Sequence, residues 1–167
     1  DIKEPGLNAL PPGVERYVVE GGGLTGIQIL PDDEIEIINN EGNQLCEISV
    51  FNKDGKSELA ILNLKEIKDN SEIKKILFKK DESSLQALLQ LKKRNLDIEK
   101  SKSSLIFDKE TSAGESIKLK SKDKCYCIIA APGKEMVVHE QNPSTELTVM
   151  VKRSIVKEDK EFSLIPD

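Results

Sequence analysis

Hydrophobic and polar positions follow one pattern twice along this chain. The stretch 26–38 (GIQILPDDEIEII) aligns without a gap on 116–128 (SIKLKSKDKCYCI), so that Ile27, Ile29, Ile35 and Ile37 fall on Ile117, Leu119, Cys125 and Cys127, and Asp33 falls on Asp123. Each copy reads as strand, polar turn, strand. Alternating apolar residues give each strand one face to bury, and the twin unit offers a matching face. The expected fold is therefore mainly β, an α+β chain with a barrel-like or sandwich core built from two similar β-hairpin units.

The remaining pattern fills in around these units. Residues 1–15, with Pro5, Pro11, Pro12 and Gly13, read as an irregular leader. A short β-rich segment follows at 16–20, and Gly21-Gly22-Gly23 breaks the chain before the first repeat. The turn residues 41–44 lead into a strand over 45–51, which 52–55 closes with strong turn chemistry. From 58 to 96 the spacing of Leu and Ile changes to three, four and seven, which predicts amphipathic helices inserted between the two halves. Ser83 or Ser84 is the expected cap of the last helix, Lys92, Lys93 and Arg94 suit its C-terminal end, and Asn95 stops it. Further strands are expected at 105–107, 136–138 and 147–151. The domain reading is a leader (1–15), one β-rich domain with its helical insertion (16–156), and a linker (157–167) toward a transferase region beyond a chain that starts at Asp1 without an initiator Met.

Composition removes several function classes. With 25 basic and 30 acidic residues the net charge is -5, so no general cationic field recruits nucleic acid or anionic lipid. Lys118, Lys120, Lys122 and Lys124 alternate with other residues in the absence of stacking aromatics and read as a solvated face. No apolar run approaches the ~20 residues that span a bilayer, and no signal peptide opens the chain, so a cytoplasmic protein is expected. Cys46, Cys125 and Cys127 are an odd number and read as small buried hydrophobes; a zinc site would need two further ligands, and no metal is expected.

Candidate chemistry is sparse. His139 is the one histidine, which excludes any site that needs two, and its neighbour Glu140 points the other way if the strand persists. The triple glycine is followed by a strand and not by a helix N-terminus, so it reads as a loop and not as a phosphate cradle. The best candidate is the polar group Glu41, Asn43, Gln44 and Glu47. Carboxylate plus amide beside a turn can bind an amine or a urea-like ligand; equally, such side chains can satisfy the turn's own backbone.

Those residues also carry a resemblance. The succession Arg16, Gly21-Gly22-Gly23, Pro31-Asp32-Asp33, Ile37, Glu41-Gly42-Asn43-Gln44, Glu47 and 51–55, then Gly114-Glu115, Ala130-Ala131-Pro132-Gly133 and 147–153, resembles the urea-carboxylase-associated family, a β-rich domain of unassigned function. More closely, it looks like the form placed ahead of glycine-cleavage T-protein-like aminomethyltransferases. The resemblance implies a parent similar to folate-dependent enzymes that move a one-carbon unit from a methylamine-type substrate to tetrahydrofolate. The folate pocket and catalytic carboxylate would belong to the C-terminal transferase region of the same polypeptide, leaving this segment without a cofactor or catalytic residue of its own. Stand-alone members carry Cys and His positions that imply a metal, and this chain departs from them.

Three functions are consistent with these readings. An accessory domain that docks on a transferase would expose an apolar surface. A small-ligand module would use Glu41, Asn43, Gln44 and Glu47. An independent enzyme has only His139 as a candidate base.

Overall fold

The computed structural model describes residues 10–65, 68–69, 71–79, 81–107, 110–133 and 145–154. Among the described residues nine strands run in chain order: β1 (Val14–Val19), β2 (Leu24–Ile29), β3 (Glu34–Asn39), β4 (Glu47–Phe51), β5 (Lys68–Asp69), β6 (Lys102–Leu105), β7 (Glu115–Lys120), β8 (Cys125–Ala130) and β9 (Leu147–Lys152). Between β4 and β6 lie a 3-10 turn (Leu59–Leu62) and two helices, α1 (Ser71–Leu77) and α2 (Glu82–Lys93). The strands form two antiparallel sheets, one in the order β1-β9-β3-β7 and the other β2-β8-β4-β6-β5. The core is a β-sandwich and not a closed barrel.

Each repeat is a strand, a corner and a strand, and its two strands part into different sheets. In the first copy β2 belongs to the second sheet and β3 to the first; in the second copy β7 belongs to the first and β8 to the second. The copies therefore pair with each other and not within themselves: Ile27 lies opposite Cys127 in the β2–β8 ladder, and Ile37 opposite Ile117 in the β3–β7 ladder. Moving each residue to its counterpart in the other copy converts one ladder into the other, so the core has an internal pseudo-two-fold. The corner chemistry explains why no hairpin closes. Pro31 holds a negative φ, Asp32 has φ +68, and the Asp33 N–H reaches Leu30 O at 3.1 Å, which makes a type II turn. Such a turn splays its strands, whereas a tight hairpin needs one of the primed types.

Alternation then does what the pattern predicts. Ile27, Ile29, Ile35 and Ile37 are at most 2% exposed and meet Cys127, Ile129, Val149 and Val151 between the sheets. Each such side chain contributes about 1.5–3 kcal/mol by leaving water. The second sheet is covered on both faces. Phe51, Ile128 and Ala130 turn away from the sandwich and pack on Ile73, Leu77 and Leu91 of the helices, which is why β4 is buried at every position.

Several local expectations are corrected here. The N-cap of α2 is Asp81, whose carboxylate accepts the Ser84 N–H at 2.8 Å; Ser84 is the capped residue, and its hydroxyl donates to Ile76 O. Asn95 does end the helix, in the left-handed region at φ +60. The helix turns Ser84 toward α1, packs Ala87 and Leu91 into the cluster that covers the sheet, and leaves Leu85 and Leu89 half or more exposed. The stretches 1–9, 136–138 and 155–167, with the expected strand and most of the leader and linker, lie outside the described residues. No helix among the described residues is long and apolar enough to cross a membrane.

Candidate functional site

The segment 39–47 leaves β3, turns sharply and enters β4. Gly42, at φ +80, is wedged against 111–113: a Cβ there would lie 2.7 Å from both Thr111 O and Ala113 N, so only glycine fits. Asn43 follows in the left-handed region, and its N–H donates to Thr111 O at 2.8 Å. These two positions reverse the chain and fix where its polar side chains go. Glu41 and Asn43 face solvent, whereas Gln44 and Glu47 are fully buried. The four candidates thus divide into an outer and an inner pair.

Gln44 binds backbone at every turn. Its Nε2 donates to Leu45 O and to Pro132 O, both at 2.9 Å, and its Oε1 accepts the Thr145 N–H at 2.8 Å. The amide thereby ties Pro132 to Thr145, the described residues near either end of 134–144. Asn39, also fully buried, donates through Nδ2 to Gln44 O at 2.8 Å and supports the hub from β3. The Glu47 carboxylate accepts the Ile73 N–H at 2.9 Å. It places a negative charge at the N-terminal turn of α1, where orphan amides and the helix dipole favour one. Beside it, burial and then the Glu47 charge push the Cys46 thiol well above its ordinary range.

A second polar cluster was not foreseen in the sequence. Arg153, after β9, forms a two-pronged pair with Glu15 of β1 (Nε to Oε2 3.0 Å, Nη2 to Oε1 2.8 Å). Its Nη1 reaches the fully buried Asp33 carboxylate at 2.7 Å and Gln28 O at 3.0 Å. Asp33 also accepts the N–H groups of Leu30 and Ser154, each at 2.9 Å. The Arg153 hydrogen bonds hold the Glu15 carboxyl below its usual range against the opposing effect of burial, and Glu15 in turn holds Arg153 more firmly protonated. Burial and Glu15 raise the Tyr17 phenol. The cluster is a clamp between corner, first strand and last strand. The repeat marks Asp33 as a corner residue aligned with Asp123, but not as a buried partner of Arg153.

The three cysteines are free and buried. Cys125 and Cys127 share the inner face of β8, with their sulfurs 3.9 Å apart. The hydrogen bond to Cys125, burial and the neighbouring thiol keep Cys127 protonated. Among the described residues no group of three or more His, Cys, Asp or Glu side chains is placed to hold a metal ion. His139 and Glu140 lie outside the described residues.

No protein-family model matches the chain. It is 32% identical over 166 residues to a protein of Ruegeria pomeroyi named trimethylamine-oxide aldolase. That match takes in 99% of this chain and 21% of the Ruegeria protein, so the chain spans about a fifth of the length of its relative.

Proposed function

We propose that this chain is a cytoplasmic accessory domain of a longer polypeptide that acts on a methylated amine or amine oxide, and that the reaction centre lies elsewhere in that polypeptide. The observation that carries this reading is the extent of the match: nearly all of this chain corresponds to about a fifth of a protein named for its action on trimethylamine oxide. Two features of the structure support it. The buried polar side chains Gln44, Glu47 and Asp33 bind the protein's own backbone or Arg153. In addition, Phe78 at the end of α1 and Leu85 and Leu89 on α2 are 45–59% exposed, an apolar surface of the kind a docking domain presents. Folate-dependent one-carbon transfer in the parent, and a C-terminal transferase as the docking partner, rest on the resemblance alone.

Two assays test the proposal together. The chain on its own is expected to leave trimethylamine oxide unconsumed. Deleting the matching 166 residues from the Ruegeria relative is expected to lower the stability or assembly of that protein while some turnover persists. Consumption of trimethylamine oxide by the isolated chain would overturn the reading.

A further inference from the structure

The outer face of the second sheet carries a recess of about 250 Å³ lined by Gln28, Asn52, Lys53, Arg94, Lys124 and Tyr126, among others. Three of these side chains are cationic and no acidic residue lines the recess. In a chain with five more acids than bases that is a local inversion of charge. Among the described residues none of the three cations has a carboxylate within ion-pair distance. The lysines of β7 differ: Lys118 and Lys120 stand directly opposite Glu36 and Glu34.

The recess is also built and not merely charged. Arg94, just past α2, stacks its guanidinium over the Tyr126 ring at 4.4 Å from the centroid. Stacking fixes the plane of a guanidinium while leaving its edge donors free for a planar or tetrahedral oxyanion. Tyr126 is fixed in turn by Gly26 beneath it, where an added Cβ would fall 2.1 Å from the phenol oxygen. Burial raises the Tyr126 phenol, which keeps it a proton donor. The opposite wall is held by Asn52, whose Oδ1 accepts the N–H groups of Asp54 and Lys56 and whose Nδ2 donates to Glu58.

We propose that this recess is an oxyanion-binding site, with Arg94 as the directional donor, Lys53 and Lys124 as the flanking charges, and a carboxylate or phosphate group as the ligand. It lies apart from the Gln44 hub and does not depend on the accessory-domain reading. The test is a titration of the full chain at constant ionic strength, one arm with inorganic phosphate and one with malonate, followed by the NMR shifts of the Arg94 Nε–H and the Lys124 amide. Saturable binding is expected in at least one arm, and which arm saturates more tightly fixes the ligand class. Arg94→Gln and Lys124→Gln are each expected to weaken it about tenfold, the loss of one charge-assisted contact. Lys118→Gln is expected to leave it unchanged. Gly26→Ala removes no charge but displaces Tyr126, and is expected to weaken binding severalfold. No saturation in either arm, an unaltered affinity in folded Arg94→Gln, or an equal loss in Lys118→Gln would each overturn the proposal.

Discussion

The two copies of the repeat share a backbone and an apolar pattern, yet their equivalent polar positions have parted. Asp33 at the first corner is fully buried and held by Arg153, Leu30 and Ser154. Asp123 at the second corner is exposed, and its carboxylate accepts its neighbour's amide, from Lys124 at 2.7 Å. Across the ladders the same divergence recurs. In the second sheet Tyr126 lies over Gly26; at the symmetry-equivalent place in the first sheet Glu36 accepts a hydrogen bond from Ser116 at 2.8 Å. Both copies keep the alternation of apolar residues that fills the space between the sheets. What sits on the outside depends on what covers it: helices and Arg94 over the second sheet, solvent over most of the first.

The corners give the sharpest contrast. Asp33→Ala removes the acceptor for two backbone amides and one guanidinium, and is expected to cost about 3 kcal/mol in urea denaturation, as for a broken buried pair. Asp123→Ala should stay within about 0.5 kcal/mol, as for an ordinary surface change. Equal losses at the two corners would mean that the clamp contributes nothing beyond the turn itself.

A smaller difference is expected across the ladders. Gly26→Ala forces the Tyr126 ring to move and should cost about 1–2 kcal/mol, in the range of other overpacked sites. Ser116→Ala, its counterpart, removes only an exposed hydrogen bond and should cost less than about 0.5 kcal/mol. Thermal or urea unfolding of the two variants side by side checks the ranking.

The smallest effect is in the pH dependence. Glu15 has a native pKa below its ordinary value of 4.5 because Arg153 hydrogen-bonds its carboxylate. A depressed native pKa makes the contribution complete above the unfolded value, and it is lost as pH falls through the native one. The side chain is 41% exposed, so solvent screening limits the effect to under about 1 kcal/mol. Glu15→Gln should therefore lower stability slightly at pH 7 and flatten the acid limb below about pH 4.5, with no change at the lowest pH. An unchanged acid limb would show that Asp33 alone holds Arg153.

Much of the fold can be read from residue order because period-two alternation is a local property. The strands of both repeats, β4 and β9 follow from it directly. The pairing of the strands was less legible: Pro31 signals a type II turn, but a corner and a hairpin share the same polar residues. The helical insertion was visible in its spacing. Its buried face was not, since Leu85, Leu88, Leu89 and Leu91 offer more than one stripe, and packing on α1 and the sheet selects the one containing Ser84, Ala87 and Leu91. For the candidate site, Gln44 and Glu47 were singled out as polar residues beside a turn. Glu47 is buried because α1 covers the outer face of β4, and Gln44 because Pro132 and Thr145 close over it; neither contact is encoded in the local pattern. The Arg153–Asp33 contact spans 120 positions and leaves no local trace at all.

The account depends most on the copies pairing with each other. Cross-strand NOEs in the folded chain test this directly, between Ile27 and Cys127 and between Ile37 and Ile117. Both sets are expected together, with no backbone cross-strand NOEs linking β2 to β3. NOEs from Ile29 to Glu34 and from Ile27 to Glu36, the register of a closed hairpin, would contradict it.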